Sequence, residues 1–225
     1  MAVRRVYVAE LLGTFVLVFG GATAIVGAGR SDIPALIIAP FAFGLALLAG
    51  LYAFGEVSGG HFNPAVSLAM FLDKRLSSTD LIGYWVSQFI GAVLAGLVLL
   101  LATDKHSVAS TATKPSSDGT AFVVEVAFTA IFVLVILQAT RSEGFGSTAL
   151  LAIPLTLLMI HLAAIPFSGS SVNPARTFGS DLVGNTWTGF WIYVIAPPLG
   201  AALGWAIHAG VVTGKLGMPR SAGDA

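Results

Sequence analysis

Ser58-Gly59-Gly60-His61-Phe62-Asn63-Pro64-Ala65 and Ser168-Gly169-Ser170-Ser171-Val172-Asn173-Pro174-Ala175 are one pattern written twice, S-G-x-x-x-N-P-A. Each copy runs into a stretch of helical character, Ala65 to Leu72 and Ala175 to Val183. Asn is a strong N-cap, because its side-chain oxygen accepts one of the unpaired N–H groups of the first turn. Pro suits the first helical position, where its N–H would be unbonded anyway and its φ is already set. Each copy therefore predicts extended, Gly-rich backbone followed by an abrupt helix start. A helix of about ten residues spans roughly 15 Å, half of a ~30 Å hydrocarbon core. Two such half-helices, one per copy, are expected to meet tip to tip at a membrane centre.

The surrounding chain requires that membrane. Of its 225 residues, 56% are hydrophobic and 10% charged, against about 25% charged in a soluble domain. The formal net charge is zero, so nothing points to nucleic acid. There is no cysteine, which excludes disulfides, thiol chemistry and cysteine-ligated metal. Six apolar segments approach the ~20 residues that a span needs: Val6–Ala28, Pro34–Phe54, Leu81–Ala102, Phe122–Ala139, Thr148–Phe167 and Trp187–Val211. The first follows Arg4-Arg5 but is too long for a signal h-region and lacks a small-residue cleavage site, so it is read as retained. Each N-P-A segment is too short to cross.

The longest connection, Thr103–Thr120, is rich in Ser and Thr and broken by Lys114-Pro115. It divides a single channel domain into halves, about 1–105 and 118–225. Glu10 in the first span matches Glu125 in the fourth. Gly91-Ala92-Val93-Leu94-Ala95-Gly96 in the third matches Gly200-Ala201-Ala202-Leu203-Gly204 in the sixth. Three spans per half is an odd number, so the second half enters from the opposite side: an inverted repeat about an axis in the membrane plane. Arg4, Arg5, Lys74, Arg75, Arg141, Lys215 and Arg220 fall on one side of this arrangement, and Arg30, Lys105 and Lys114 on the other. The bias predicts both termini in the cytoplasm. Gly13, Gly20, Gly21, Gly91, Gly96, Gly200 and Gly204 are expected to let helices approach closely. Trp187 and Trp191 are expected to open the sixth span as interfacial anchors. Ser77, Ser78 and Thr79 read as loop and cap before the third span rather than as a phosphorylation site.

Irregular backbone at membrane depth is tolerated only where it is buried in protein or lines a cavity. A lone N-P pair is usually an ordinary cap. Two in register, each before a half-length apolar helix and approaching from opposite faces, predict a path. The carbonyls of Gly59, Gly60, His61 and Phe62 would form one row of acceptors, and those of Gly169, Ser170, Ser171 and Val172 another. Asn63 and Asn173 would cap their helices with the amide oxygen and turn the NH₂ to the lumen. Intramembrane carboxylates are rare. Glu10 and Glu125 either relay protons or accept N–H bonds from the re-entrant loops, and one per half favours the second role.

The doubled N-P-A, the Glu of spans one and four and the symmetry of spans three and six resemble the aquaporin (major intrinsic protein) family over about residues 5 to 211. The resemblance implies an all-α membrane fold of six tilted helices around two half-helices, with one pore per protomer and four protomers per assembly. It also implies pore motifs at Asn63, Pro64, Ala65, Asn173, Pro174 and Ala175, and an aromatic/arginine filter of Phe43, His161, Ser170 and Arg176. Phe, His and Arg are the water-channel set of this family. Its glycerol facilitators carry Trp, Gly and Phe beside the Arg and an Asp after it, where this chain has Thr177. Within the family the chain looks most like the bacterial aquaporin Z-like group, while Thr177-Phe178-Gly179 also echoes plant vacuolar members. Ser180 and Asp181 depart from the usual pattern, as does Glu56, which is expected to face a vestibule. Pro40, Pro154 and Pro166 lie within spans, where neighbours can satisfy the freed carbonyls.

In this reading Phe43 walls the filter while His161 and Arg176 donate hydrogen bonds to a passing water oxygen. The positive ends of both half-helix dipoles and the charge of Arg176 exclude protons, the mechanism known for aquaporin-type pores. The expected function is a passive water channel in a bacterial plasma membrane, without cofactor, metal or catalytic residue. Its expected partners are water, lipid and three further copies of itself. A facilitator of glycerol, hydrogen peroxide or ammonia is the nearest rival. A proton-coupled transporter shares the inverted-repeat plan but needs a titratable midplane site, which Asn63 and Asn173 do not supply. A membrane enzyme would need a metal cluster or an activated Ser, and Ser58 and Ser168 have no base beside them.

Overall fold

A long apolar run can cross lipid only by closing its own backbone hydrogen bonds, and six segments do so as helices. The computed structural model describes residues 4–141 and 147–214. The six are α1 (Arg5–Ala28), α2 (Ala35–Ser58), α4 (Ser78–Ala102), α6 (Asp118–Ala139), α7 (Ser147–Ser168) and α9 (Phe190–Ile207), the last continuing as a π-helical turn over His208–Val212. All six have the length and hydropathy to cross a membrane. The half-helices are α3 (Pro64–Leu72) and α8 (Pro174–Gly184), and a short α5 covers Lys105–Ala109. Among the described residues there are helices and no strands. Lys215 and Arg220 lie outside the described residues.

The boundaries follow local chemistry. Ser77 caps α4, its hydroxyl accepting the Asp80 N–H at 3.1 Å and donating to Asp80 Oδ2 at 2.8 Å. α2 runs past Phe54 to Ser58 and stops at Gly59, whose φ of +89° is left-handed and whose N–H bonds the Gly55 carbonyl. The sixth span does not open at Trp187. Gly189 is left-handed with φ +66°, so α9 begins at Phe190, and Trp187 lies on the preceding turn with its indole N–H on Asn185 Oδ1. The connection after α4 is also more than a linker. Asp104 caps α5 by accepting the Ser107 N–H at 2.9 Å, and Ser116 donates its N–H and hydroxyl to the Phe167 carbonyl.

α1 packs on α2 and α4, and α6 packs on α7 and α9 in the same relation. The half-helices exchange sides: α3 lies against α9, and α8 against α4, while α2 and α7 join the halves directly. Small residues make these approaches possible. A methyl at Gly91 would stand 2.3 Å from the Leu11 carbonyl oxygen, and one at Gly200 would stand 2.4 Å from that of Val126. Gly13 and Gly21 differ from this expectation. The space at each is filled not by a neighbouring backbone but by a phenyl ring, Phe62 at the first and Phe43 at the second. Outward faces carry Leu36, Leu45, Ile82 and Leu101, the apolar exterior that lipid requires.

Candidate functional site

Each half anchors its re-entrant segment on one buried carboxylate. Glu10 Oε1 accepts the Ser58 hydroxyl (2.7 Å) and the His61 N–H (2.9 Å), and Oε2 accepts the Phe62 N–H and Gln88 Nε2, both at 2.7 Å. Glu125 Oε1 accepts the Ser168 hydroxyl (2.7 Å) and the Ser171 N–H (2.8 Å), and Oε2 accepts the Val172 N–H (2.6 Å). Every partner is a donor, the pattern of an ionised carboxylate, which only accepts. The Tyr84 hydroxyl fixes the Ser58 carbonyl at 2.6 Å, and the Tyr193 hydroxyl fixes that of Ser168 at 2.5 Å.

With the N–H groups drawn one way, the backbone turns left-handed. φ is +63° at Gly60, +48° at Phe62, +50° at Ser170 and +46° at Val172. Such values are unfavourable for Phe and more so for β-branched Val, at about 1–3 kcal/mol each. The carboxylate bonds hold them there.

Asn63 Oδ1 accepts the Ala65 N–H at 2.9 Å, and Asn173 Oδ1 accepts those of Ala175 and Arg176 at 3.0 and 3.3 Å. The amide nitrogens do something the motif did not reveal. Asn63 Nδ2 donates to the Val172 carbonyl at 2.7 Å, and Asn173 Nδ2 donates to the Phe62 carbonyl at 2.9 Å. One N–H of each amide thus ties the two tips together. Only the second is left for the lumen, and the Phe62 and Val172 carbonyls are already engaged.

Two chambers flank a constriction. The inner, of about 20 Å³, is walled by His61, Asn63, Ser171, Val172 and Asn173 on its polar side and by Leu17, Leu47, Phe132 and Leu157 on its apolar side. A water needs ~10–15 Å³ measured this way, so the space suits one water at a time. The outer chamber, of about 200 Å³, takes Ser110, Thr111, Ala112 and Lys114 from the connection after α4, together with Gly169. Phe43, His161 and Arg176 are the residues common to both walls. The Phe43 and His161 ring centroids are 4.7 Å apart, and Arg176 Cζ lies 5.2 Å from the Phe43 centroid, within cation–π range. All three are at least 96% buried. Arg176 Nε and Nη1 and His161 Nε2 have no hydrogen-bond partner among the described residues.

His161 is not arranged to donate. Its Nδ1 lies 3.0 Å from the Leu157 carbonyl. A carbonyl only accepts, so the proton sits on Nδ1, and Nε2 of the neutral ring offers a lone pair. The wall thus holds donors on Arg176 and an acceptor on His161 that are unpaired among the described residues. The lone pair on Nε2 shows only in the fold, because the helical carbonyl that orients the ring is four residues earlier and carries no sequence signal.

Ser170 borders neither chamber; it is fully buried, with a hydroxyl that has no hydrogen-bond partner among the described residues. Gly59, Gly60 and Phe62 are likewise absent from both walls. Pro64, Ala65, Pro174 and Ala175 are buried first-turn residues of α3 and α8. Asp181 is buried on α8 without a hydrogen-bond partner for either oxygen among the described residues, and Glu56 is exposed. Gln88 belongs to no motif, and its one sequence signal is that an amide in an apolar span is costly unless partnered; its Nε2 donates to Glu10 Oε2 and Ser67 Oγ. No cluster that could hold a metal occurs among the described residues.

Comparison with known proteins covers nearly the whole chain. The family described as Major intrinsic protein matches residues 1–208. A protein named glycerol uptake facilitator protein-like 6, from Lactiplantibacillus plantarum, is 40% identical over 207 residues, covering 88% of this chain and 94% of the relative. A protein named aquaporin Z, from Photorhabdus laumondii, is 39% identical over 223 residues, covering 91% and 96%. Among solved structures, the aquaglyceroporin from Plasmodium falciparum superposes with a TM-score of 0.84 at 23% identity, over 95% of this chain and 98% of that one. That last likeness concerns the fold.

Proposed function

The chain belongs to the major intrinsic protein family, and from that premise we propose that it is a passive, water-selective channel. The observation that carries the reading is the wall shared by the two chambers, made of Phe43, His161 and Arg176. A water reaching this wall meets donors on Arg176 and an acceptor on His161, which replace bonds lost from bulk. The Phe43 ring opposite offers no polar group to a polyol hydroxyl, and burying an unpaired hydroxyl is unfavourable by about 1–3 kcal/mol. A three-carbon polyol is also several times larger than the single water that the inner chamber suits.

Beyond the filter, water passes the paired tips of α3 and α8. The free N–H of Asn63 and Asn173 donates to its oxygen, and the apolar wall of Leu17, Leu47, Phe132 and Leu157 offers no alternative partner. The oxygen is therefore oriented, which breaks the chain of bonds a proton would follow. The positive ends of both half-helices and Arg176 repel cations. The same reading includes a single channel unit of two inverted repeats, both termini in the cytoplasm of a bacterial plasma membrane, and a homotetramer with one pore per protomer. Mass measurement in mild detergent tests the assembly; a fully active monomer refutes the requirement for it.

Glycerol is the second reading, favoured by the relative named a glycerol uptake facilitator. Stopped-flow light scattering on proteoliposomes separates the two. Sucrose should cause fast shrinkage, and glycerol should give the same shrinkage without re-swelling. Rapid re-swelling in glycerol overturns the water-selective reading.

A further inference from the structure

α1 lends the constriction no side chain, yet one of its residues stands directly behind the aromatic wall. The Phe43 ring, on α2, is 2% exposed and lies against Gly21 of α1. A Cβ built on Gly21 would fall 2.2 Å from Phe43 Cε1, 2.3 Å from Cζ and 2.4 Å from Cδ1. Carbon atoms in ordinary contact stand ~3.5–4.0 Å apart, so a methyl there forces the ring to move by about 1 Å or more. The ring also touches His161, at 4.7 Å between centroids, and the Arg176 guanidinium, at 5.2 Å. Its freedom to retreat within α2 is small, because buried side chains are held to staggered rotamers.

We propose that Gly21 is a positioning residue for the filter, setting how far Phe43 stands into the path between the chambers and hence what size of solute passes. This rests on the water-channel reading. A hydrogen at position 21 is the condition for an open constriction with Phe at position 43. A methyl closes it, because the inner chamber of about 20 Å³ has no room for a ring displaced by that distance. Gly13, two helical turns earlier, likewise receives a ring, that of Phe62, where an added Cβ would stand 2.0 Å away, although Phe62 borders neither chamber. Gly13, Leu17 and Gly21 form one i, i+4 ridge of α1. Leu17 lines the inner chamber itself, and the glycines on either side of it receive the rings.

Five proteins decide the matter, the unmodified one and four variants, each reconstituted at known protomer number and read by stopped-flow water permeability. Gly21→Ala should lower permeability per protomer at least tenfold. Gly21→Ala with Phe43→Leu, which removes the ring, should recover most of the flux of Phe43→Leu alone. Gly27→Ala, a position with nothing within 4 Å of an added Cβ, should match the unmodified protein. If the unmodified protein conducts no water, the water-channel reading fails, whatever Gly21 does. If it conducts and Gly21→Ala conducts equally, Gly21 does not position the filter. If the double variant stays closed, the effect of Gly21→Ala is general packing damage and the proposal is overturned. Should Gly21→Ala alone not assemble, the double variant still decides: folded and conducting supports the seat, and misfolded refutes it.

Discussion

The two re-entrant segments share a skeleton and differ in chemistry. In both, a span carboxylate takes the Ser hydroxyl and two consecutive N–H groups, a Tyr hydroxyl fixes the Ser carbonyl, and the Asn caps its helix and reaches across to the other tip. In both, the residue two before the Asn meets the residue four after it: His61 Nδ1 lies 3.1 Å from Ser67 Oγ, and Ser171 Oγ lies 2.6 Å from Thr177 Oγ1. The copies part in side chains beside this shared skeleton. Val66 follows the first N-P-A, and Arg176 the second. His61 lines the inner chamber in one copy, Ser171 in the other. The first copy alone has Gln88, which bonds both Glu10 and Ser67; matching Gly91 with Gly200 puts Pro197 in its place. The two copies thus share their backbone bonding and differ in side chains, among them His61, Ser171 and Arg176 of the chamber walls.

The largest expected effect breaks the shared skeleton. Glutamine turns one carboxylate oxygen into a donor. Both oxygens of Glu10 accept two bonds, whereas among the described residues Oε2 of Glu125 accepts only the Val172 N–H. At about 1–3 kcal/mol per unmet buried donor, Glu10→Gln should destabilise by about 4 kcal/mol and Glu125→Gln by about 2. Thermal unfolding in detergent measures both, and equal losses contradict the asymmetry. Neither variant should change the response of water flux to an imposed proton gradient. A response present in the original and lost in the variants revives the transporter reading.

Arg176→Val gives the second copy the residue of the first. Removing one charge from a low-dielectric path should lower the cation barrier by a few kcal/mol, on the order of 10²-fold in proton leak. Water should still pass, since the helix dipoles and the crossed Asn pair remain. A pH-sensitive dye in the vesicles reads the leak, and an unchanged leak assigns exclusion to the half-helices alone.

His161→Gly leaves both copies intact and opens the wall between them. Glycerol uptake should rise about tenfold, each 1.4 kcal/mol of relieved barrier being one decade, while protons stay excluded. Should His161→Gly remain closed to glycerol and Arg176→Val open to it, size and charge are divided the other way.

The smallest effect concerns Ser170, which stands where the first copy has Gly60. The unmodified protein has no cysteine and should be indifferent to mercurials, which seek a thiolate. Because Ser170 is buried and borders neither chamber, Ser170→Cys should conduct water and stay nearly as indifferent. Strong inhibition that a thiol reductant reverses would instead bring this side chain into the path, as the family resemblance implies.

Much of the fold is local and therefore legible in sequence. Apolar length dictates the six spans, and Asn-Pro dictates where α3 and α8 start, because capping involves atoms a few residues apart. Where reading failed, a distant or conformational term decided. Trp187 has the composition of a span, but Gly189 breaks the backbone after it. The connection after α4 reads as a linker because its partners, Phe167 and the outer chamber, are far along the chain. Gly13 and Gly21 look like helix-packing glycines, and only the fold shows that they receive rings.

The sequence by itself determined a doubled half-helix and a membrane-spanning, all-helical chain, because burial in lipid and helix capping depend on composition and on neighbours along the backbone. Tertiary structure alone decided that each Asn amide bonds the other copy's loop, and which members of the filter that the family resemblance implies share one wall: Phe43, His161 and Arg176, without Ser170. It alone decided that Gly21 stands behind Phe43. These are matters of ångströms between segments remote in sequence, and no local preference encodes them.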